Sequence, residues 1–177
     1  VAALTLFIAL SPWWDRALVT LYMATFGVIV SCLIGFTVGT LCFQNKKSAA
    51  FMLGVCDIFQ TFPSFVYLIP VMMLFGITDT SVLIAVIVYA TIPATRYTIE
   101  GLRSVPVGLH EAATMSGVNK FQRLTKIEFP LAFPHMMLGL NQTIVFALFM
   151  VIIGAFIGTE DLGQYILKAL SDKNGAG

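Results

Sequence analysis

Charged side chains are concentrated in one internal segment, residues 111–130, which reads EAATMSGVNKFQRLTKIEFP. The segment holds two acidic and three basic side chains, whereas charged residues make up only 11% of the chain. It pairs no nucleophile with a base, so its residue types suit recognition and not catalysis. Two surfaces fit: a groove on another protein, entered by a short helix with an exposed acid, or lipid phosphates that meet the basic residues.

The other polar residues form no catalytic or cofactor site. The sequence lacks the GxxxxGK[ST] loop that holds ATP phosphates, so we predict a chain that is not an enzyme and carries no cofactor or metal. His110 and His135 are isolated, and His110 is expected to be a solvated neighbour of residues 111–130. Cys32, Cys42 and Cys56 lack metal-ligand spacing and are expected to be buried free thiols. The net charge of +1 gives no reason to expect nucleic acid.

The composition predicts an all-α integral membrane protein. Of the 177 residues, 58% are hydrophobic, and a soluble domain of this length would need more surface charge. The apolar stretches are long and lack the alternation of a lipid-facing strand. A span needs about 20 apolar residues. One transmembrane domain is predicted over 1–177, with a span tail at about 1–10 and spans at 17–45, 48–76 (broken), 80–102 and 129–158. Between the last two spans lie residues 103–128, which we call the polar segment and which include most of residues 111–130. Both ends are expected to continue into further spans.

Proline and glycine mark special positions in the spans. Pro63 and Pro70 interrupt the second span, which predicts a helix break near residues 61–64. A broken helix at membrane depth needs protein or a water-filled cavity beside it. Gly35 and Gly39 are spaced to let two helices approach closely, although two glycines in a long apolar helix can also be coincidence.

The basic residues orient the chain, because they concentrate on the cytoplasmic side of membrane proteins. Seven of the ten fall on one side, and the opposite loops GITDTS and GTEDLG hold none. The polar segment is therefore predicted to be cytoplasmic. The seven are Lys46, Lys47, Arg96, Arg103, Lys120, Arg123 and Lys126.

Helix signals divide the polar segment. Pro106 can open a helix, and Gly117 can end it in a left-handed conformation. A second helical pattern follows, with apolar residues at Val118, Phe121, Leu124 and Ile127.

The segment resembles the cytoplasmic signature of binding-protein-dependent ABC importer permeases: EAA, three residues, Gly, nine residues, Ile-x-Leu-Pro. The chain has EAA at 111–113, Gly117 and IEFP at 127–130, departing only at Phe129. The resemblance implies a type I permease core whose coupling helix docks on a separate ATPase subunit that binds ATP. The residues that it assigns to this contact are Glu111, Ala112, Ala113 and Gly117.

Residues 57–70, the continuation MMLFG, residues 141–143 and residues 161–164 resemble permeases for glycine betaine, proline and choline. Together the resemblance covers nearly all of residues 15–170. It implies a multi-pass protein of the bacterial plasma membrane that works as a pair of permease subunits with two ATPases, an external solute-binding protein and surrounding lipid. A compatible solute, such as glycine betaine, proline betaine or choline, is the expected cargo. The alternatives are an importer of an amino acid such as proline or histidine, and a channel or secondary transporter subunit.

A polar solute needs a path that avoids lipid. Aromatic faces attract a quaternary ammonium by about 0.5–2 kcal/mol each, although the same rings can be ordinary helix packing. The polar pair Asn141 and Gln142 can instead form an interhelical hydrogen bond. Asp57 is expected to pair with a nearby lysine or backbone donor. The candidate path residues are Phe62, Pro63, Phe65, Tyr67, Pro70, Asn141 and Gln142.

Overall fold

The computed structural model describes residues 14–155, apart from the side chain of Arg16, and every regular element in that range is a helix. The all-α prediction is confirmed. The helices are α1 (Trp14–Phe43), α2 (Lys46–Thr61), α3 (Phe65–Phe75), α4 (Asp79–Arg103), α5 (Val107–Met115), α6 (Lys120–Arg123), a π-helical turn (Leu124–Glu128) and α7 (Phe129–Ala155).

Three helical stretches are long and apolar enough to cross a membrane: Ala17–Phe43, Asp79–Arg103 and Lys120–Ala155. Helices α2 and α3 form a bent pair that adds a fourth span if the pair counts as one. The last stretch starts earlier than the predicted boundary at 129, because helical structure continues through the charged residues before it. The predicted tail at 1–10, the last residues of the fourth span and the loop at 161–164 lie outside the described residues, so the single-domain prediction stays a prediction.

The helix ends follow local chemistry. Asn45 caps α2 by accepting a hydrogen bond from the backbone N–H of Lys47 at 3.0 Å. Helix α2 ends at Thr61 and α3 begins at Phe65, so the break surrounds Pro63. Proline allows this break because it has no backbone N–H to donate.

The chain divides into two compact units. Among the described residues, the first unit contains 14–30, 63–89 and 144–155, and the second contains 31–62 and 90–143. In the first unit, a Cβ atom added at Gly27 or Gly154 would meet a valine side chain at 2.5 Å, so small residues allow close helix contacts. The polar segment belongs entirely to the second unit.

In the second unit, α1 packs closely on α4 at the predicted glycine pair. A Cβ atom at Gly35 would overlap Ala94, and one at Gly39 would lie 2.7 Å from Cβ of Thr98. The pair is therefore a packing contact and not coincidence. Helix α4 in turn packs on α7, where a Cβ atom at Gly101 would meet Cβ of His135 at 2.9 Å. These contacts hold the helix ends that carry the polar segment.

Candidate functional site

Helix α5 carries the first half of the polar segment. Pro106 precedes it, as predicted, and Gly117 ends it with φ 71°, also as predicted. The backbone N–H of Val118 donates to the carbonyl of Ala113 at 3.1 Å, and that of Gly117 donates to the carbonyl of Thr114 at 3.1 Å. These two bonds form a Schellman motif, which ends a helix where glycine adopts a positive φ.

The structure separates the four residues predicted to contact an ATPase. Glu111, Ala112 and Gly117 are exposed, whereas Ala113 is only 4% exposed and packs inside the chain. If this segment contacts an ATPase, the contact surface therefore includes Glu111, Ala112 and Gly117 and the exposed residues next to them, but not Ala113.

Sequence reasoning missed the apolar part of this surface. Met115 is 90% exposed and Val107 is 70% exposed. With Glu111 they occupy positions four residues apart, which places all three on one face of α5. We call Val107, Glu111 and Met115 the α5 face. Exposed large apolar residues on a segment outside the spans are typical of a surface that another protein covers. The spacing of Val107 and Met115 around Glu111 is the signal that would have found them.

The second half of the polar segment begins with a capping box. The side-chain oxygen of Asn119 accepts from the backbone N–H of Gln122 at 2.8 Å, and the side-chain oxygen of Gln122 accepts from the backbone N–H of Asn119 at 3.2 Å. This reciprocal pair fixes the start of α6. The sequence analysis predicted a second helix here and missed the cap.

A buried carboxylate joins the two halves of the segment. Glu128 is 2% exposed, and its Oε1 accepts from Nε of Arg123 at 2.9 Å. Nδ1 of His110 lies 3.1 Å from the same oxygen. The expectation that His110 is a solvated neighbour is therefore wrong: its side chain is 25% exposed and faces a carboxylate supplied from 18 residues later.

A pocket of about 710 Å³ lies beside this cluster in the second unit. Its wall combines the cations Lys46, Arg103 and Lys120 with apolar side chains such as Leu102 and Phe121. The one carboxylate among its lining residues, that of Glu128, already bonds Arg123. By charge, the pocket suits an acidic or apolar group of a partner.

Asp57 takes part in an ion-pair cluster on the second unit. Nη1 of Arg96 donates to Asp57 at 2.5 Å and to the side-chain oxygen of Gln60 at 3.0 Å, and Nε of Arg96 donates to Glu100 at 3.0 Å. Asp57 thus forms a structural pair, but the partner is an arginine 39 residues away and not a lysine or backbone donor. The cluster ties α2 to α4.

The candidate path residues differ in exposure. Phe62, Pro63, Phe65 and Pro70 are exposed around the helix break. Tyr67 is 7% exposed and packs against Tyr89, with ring centroids 5.0 Å apart. For Tyr67, ordinary helix packing is the better description.

The polar pair among the candidates lies in the second unit. Asn141 is exposed and Gln142 is half-buried, on neighbouring positions of α7. The next residue, Thr143, is buried and donates to the carbonyl of Gly139 at 2.8 Å. Asn141 can therefore meet a molecule outside this chain, as can the exposed residues at the break.

Among residues 14–155, no group of three or more His, Cys, Asp or Glu side chains is placed to hold a metal ion. Cys32 and Cys56 are buried and Cys42 is half-buried, and all three are free thiols.

Comparison with known proteins decides the family. Residues 25–176 match the family described as binding-protein-dependent transport system inner membrane component. The chain belongs to this family. Membership agrees with the predictions of a multi-pass inner membrane protein and of a transport subunit that is not an enzyme.

Curated relatives include two transport permeases. The trimethylamine N-oxide transport system permease protein TmoV of Pelagibacter ubique is 89% identical over all 177 residues, which cover 25% of that protein. The glycine betaine/proline betaine transport system permease protein ProW of Escherichia coli is 37% identical over 157 residues, covering 89% of this chain and 44% of that protein. The chain thus spans between a quarter and a half of the length of these relatives.

A solved structure shares the fold. An inward-facing form of the MetNI methionine ABC transporter matches with a TM-score of 0.75 and 22% identity, covering 86% of this chain and 77% of that chain. Likeness at this identity concerns the fold alone, and it confirms the predicted type I permease fold.

Proposed function

We propose that this chain is the core of the membrane-spanning subunit of an ATP-driven ABC importer whose solute is trimethylamine N-oxide or a closely related methylated ammonium compound. The observation that carries the proposal is the 89% identity to the trimethylamine N-oxide permease over every residue of the chain. The similarity to a glycine betaine/proline betaine permease supports the same class of solute.

In this proposal the polar segment is cytoplasmic and docks on an ATPase subunit. Glu111, Ala112 and Gly117 make the contact together with Met115, whose exposure of 90% leaves its side chain without cover in the single chain. Ala113 lies on the buried side of α5 and makes no contact with the ATPase. ATP binds to the partner, so this chain needs no cofactor of its own.

The remaining partners follow from the same assignment. Two ATPase subunits, a second copy of the permease and an external solute-binding protein complete the importer in the lipid bilayer. The solute path runs between the two permease copies, beside Phe62, Pro63, Phe65, Pro70, Asn141 and Gln142. The exposure of all of these except the half-buried Gln142 is the support for that placement.

The chemistry of the solute suits these side chains. Trimethylamine N-oxide and the betaines carry a methylated cationic nitrogen and no net charge. Exposed rings such as those of Phe62 and Phe65 attract the cationic end by about 0.5–2 kcal/mol each, which is weak enough to allow release. The amide of Asn141 can donate to the anionic oxygen.

Uptake by the reconstituted importer tests the proposal. The full-length permease, its ATPase and its binding protein are placed in proteoliposomes, and uptake of radiolabelled trimethylamine N-oxide, glycine betaine, choline and proline is measured with and without ATP. ATP-dependent uptake of trimethylamine N-oxide above that of proline is expected. Equal uptake without ATP or without the ATPase would contradict an importer, and ATP-dependent uptake of proline alone would contradict the proposed class of solute.

A further inference from the structure

The buried carboxylate of Glu128 lies at the junction of three helices in the second unit. It belongs to the π-helical turn that leads directly into α7. Arg123, which donates to it, is the last residue of α6. His110, whose Nδ1 lies 3.1 Å from it, is on α5 immediately before Glu111. One oxygen atom therefore contacts the polar segment on both sides of the loop between α5 and α6.

We propose that Glu128 is a positioning residue that fixes the coupling helix α5 to the base of α7, so that a displacement of α5 reaches the span through this side chain. The inference rests on the proposed function, since it gives α5 a partner that moves it. The backbone alone connects α5 to α7 through the left-handed residue Gly117 and the short loop that follows. A loop that bends at a glycine lets α5 move independently of α7. A side-chain contact between Glu128 and His110 instead keeps α5 at a fixed distance from the start of α7.

Burial makes this contact costly to break. A carboxylate withdrawn from water is stable only while donors satisfy it, and removal of one partner from a buried pair is strongly unfavourable. Arg123 bonds the carboxylate from α6. The contact with His110 is therefore the one that joins the carboxylate to α5. The contact from His110 is a distance of 3.1 Å between Nδ1 and the carboxylate oxygen, and it is an ion pair when the imidazole is protonated.

The test measures solute imported per ATP hydrolysed by the reconstituted full-length importer. The variants are Glu128→Ala, Glu128→Gln, His110→Ala and the double variant His110→Ala/Glu128→Ala. Lys126→Ala is the matched control, because Lys126 lies in the same π-helical turn and is exposed. Co-purification of the ATPase is measured for every variant, since a purely structural defect would lower assembly and leave the ratio of solute to ATP unchanged in what assembles.

We expect Glu128→Ala to lower the ratio by roughly tenfold while the ATPase still co-purifies. Glu128→Gln should fall between Glu128→Ala and the wild type, because an amide oxygen still accepts from Nε of Arg123 but carries no charge to pair with His110. His110→Ala should lower the ratio too, and the double variant should be no worse than Glu128→Ala, because both changes remove one contact.

A ratio for Glu128→Ala equal to that of the Lys126→Ala control would overturn the proposal. So would additive losses in the double variant. If the Glu128→Ala importer fails to assemble, the His110→Ala variant provides the test, because it leaves the bond between Arg123 and Glu128 in place. An unchanged ratio of solute to ATP in His110→Ala would then overturn the proposal. Absence of ATP-dependent uptake by the wild-type importer would instead contradict the proposed function, and this inference would fall with it.

Discussion

Replacing Gly39 with alanine should force α1 away from α4 and destabilise the protein. The added Cβ atom would lie 2.7 Å from Cβ of Thr98 and 3.1 Å from the backbone oxygen of Thr95. Ordinary van der Waals contact begins at 3.4 Å. The helices would therefore have to separate by about 0.7 Å, the difference between 3.4 and 2.7 Å, at a contact that is closely packed along its length.

Thr98 cannot relieve this clash by rotating. Its side chain is fully buried, and its Oγ1 donates to the carbonyl of Ala94 at 2.7 Å. Overpacking of this kind costs about 1–3 kcal/mol. Each kcal/mol lowers the melting temperature by about 2–4 °C in a protein of about 150–250 residues and by less in a longer one, so a fall of at most about 12 °C is expected for Gly39→Ala in the full-length permease.

Thermal unfolding of the purified full-length permease in detergent measures this fall. Gly54→Ala is the matched control, because Gly54 is also helical but a Cβ atom added there would meet no neighbouring helix within 4 Å. Alanine favours a helix by up to about 1 kcal/mol over glycine, so the melting temperature of this control should stay level or rise. A Gly39→Ala protein that melts at or above the wild-type temperature, or a Gly54→Ala protein that loses as much, would refute the reasoning.

Three further predictions concern the candidate site. Glu111→Lys should reduce ATP-dependent uptake severalfold at normal membrane insertion, because the reversed charge lies at the centre of the α5 face; uptake at the wild-type level would remove Glu111 from the contact. A cysteine at Met115 should resist an impermeant thiol reagent added outside intact cells and react after permeabilisation, and labelling in intact cells would reverse the orientation. Tyr67→Ala should lower thermal stability by about 3–5 kcal/mol, more than Phe65→Ala, because Tyr67 packs on Tyr89 whereas Phe65 is 45% exposed; equal losses would contradict this packing.

The features that the sequence predicts well depend on local backbone chemistry. Pro63 lacks a backbone donor, and Gly117 can adopt a positive φ, so a helix break and a helix end follow from the residue types themselves. The α-helical class follows from long apolar stretches, which need internally satisfied backbone groups in a membrane. The close approach at Gly39 was only one of two alternatives, because the spacing of glycines does not say which helix lies opposite.

The features that the sequence did not predict depend on distant partners. Arg96 and Asp57 are 39 positions apart, and nothing in either local pattern shows that they meet. Glu128 lies in the most polar segment, where an acid is expected to face water, and its burial depends on basic side chains from two other helices. Phe121 follows an apolar helical pattern but is 73% exposed. The sequence could not predict this exposure, because an apolar pattern is the same for a core and for a surface that binds a partner.

The π-helical turn at Leu124–Glu128 forms the junction between α6 and α7. Such a turn holds one residue more than an α-helical turn, and it stores that residue as a local bulge. If the bulge tightens into regular α-helix, everything before it turns by about 100° and shifts by about 1.5 Å along the axis. Helix α6, held together by its own capping box, would turn as one piece. The bond between Arg123 and Glu128 spans this turn and would have to break for such a step, so it holds the start of the helix against rotation.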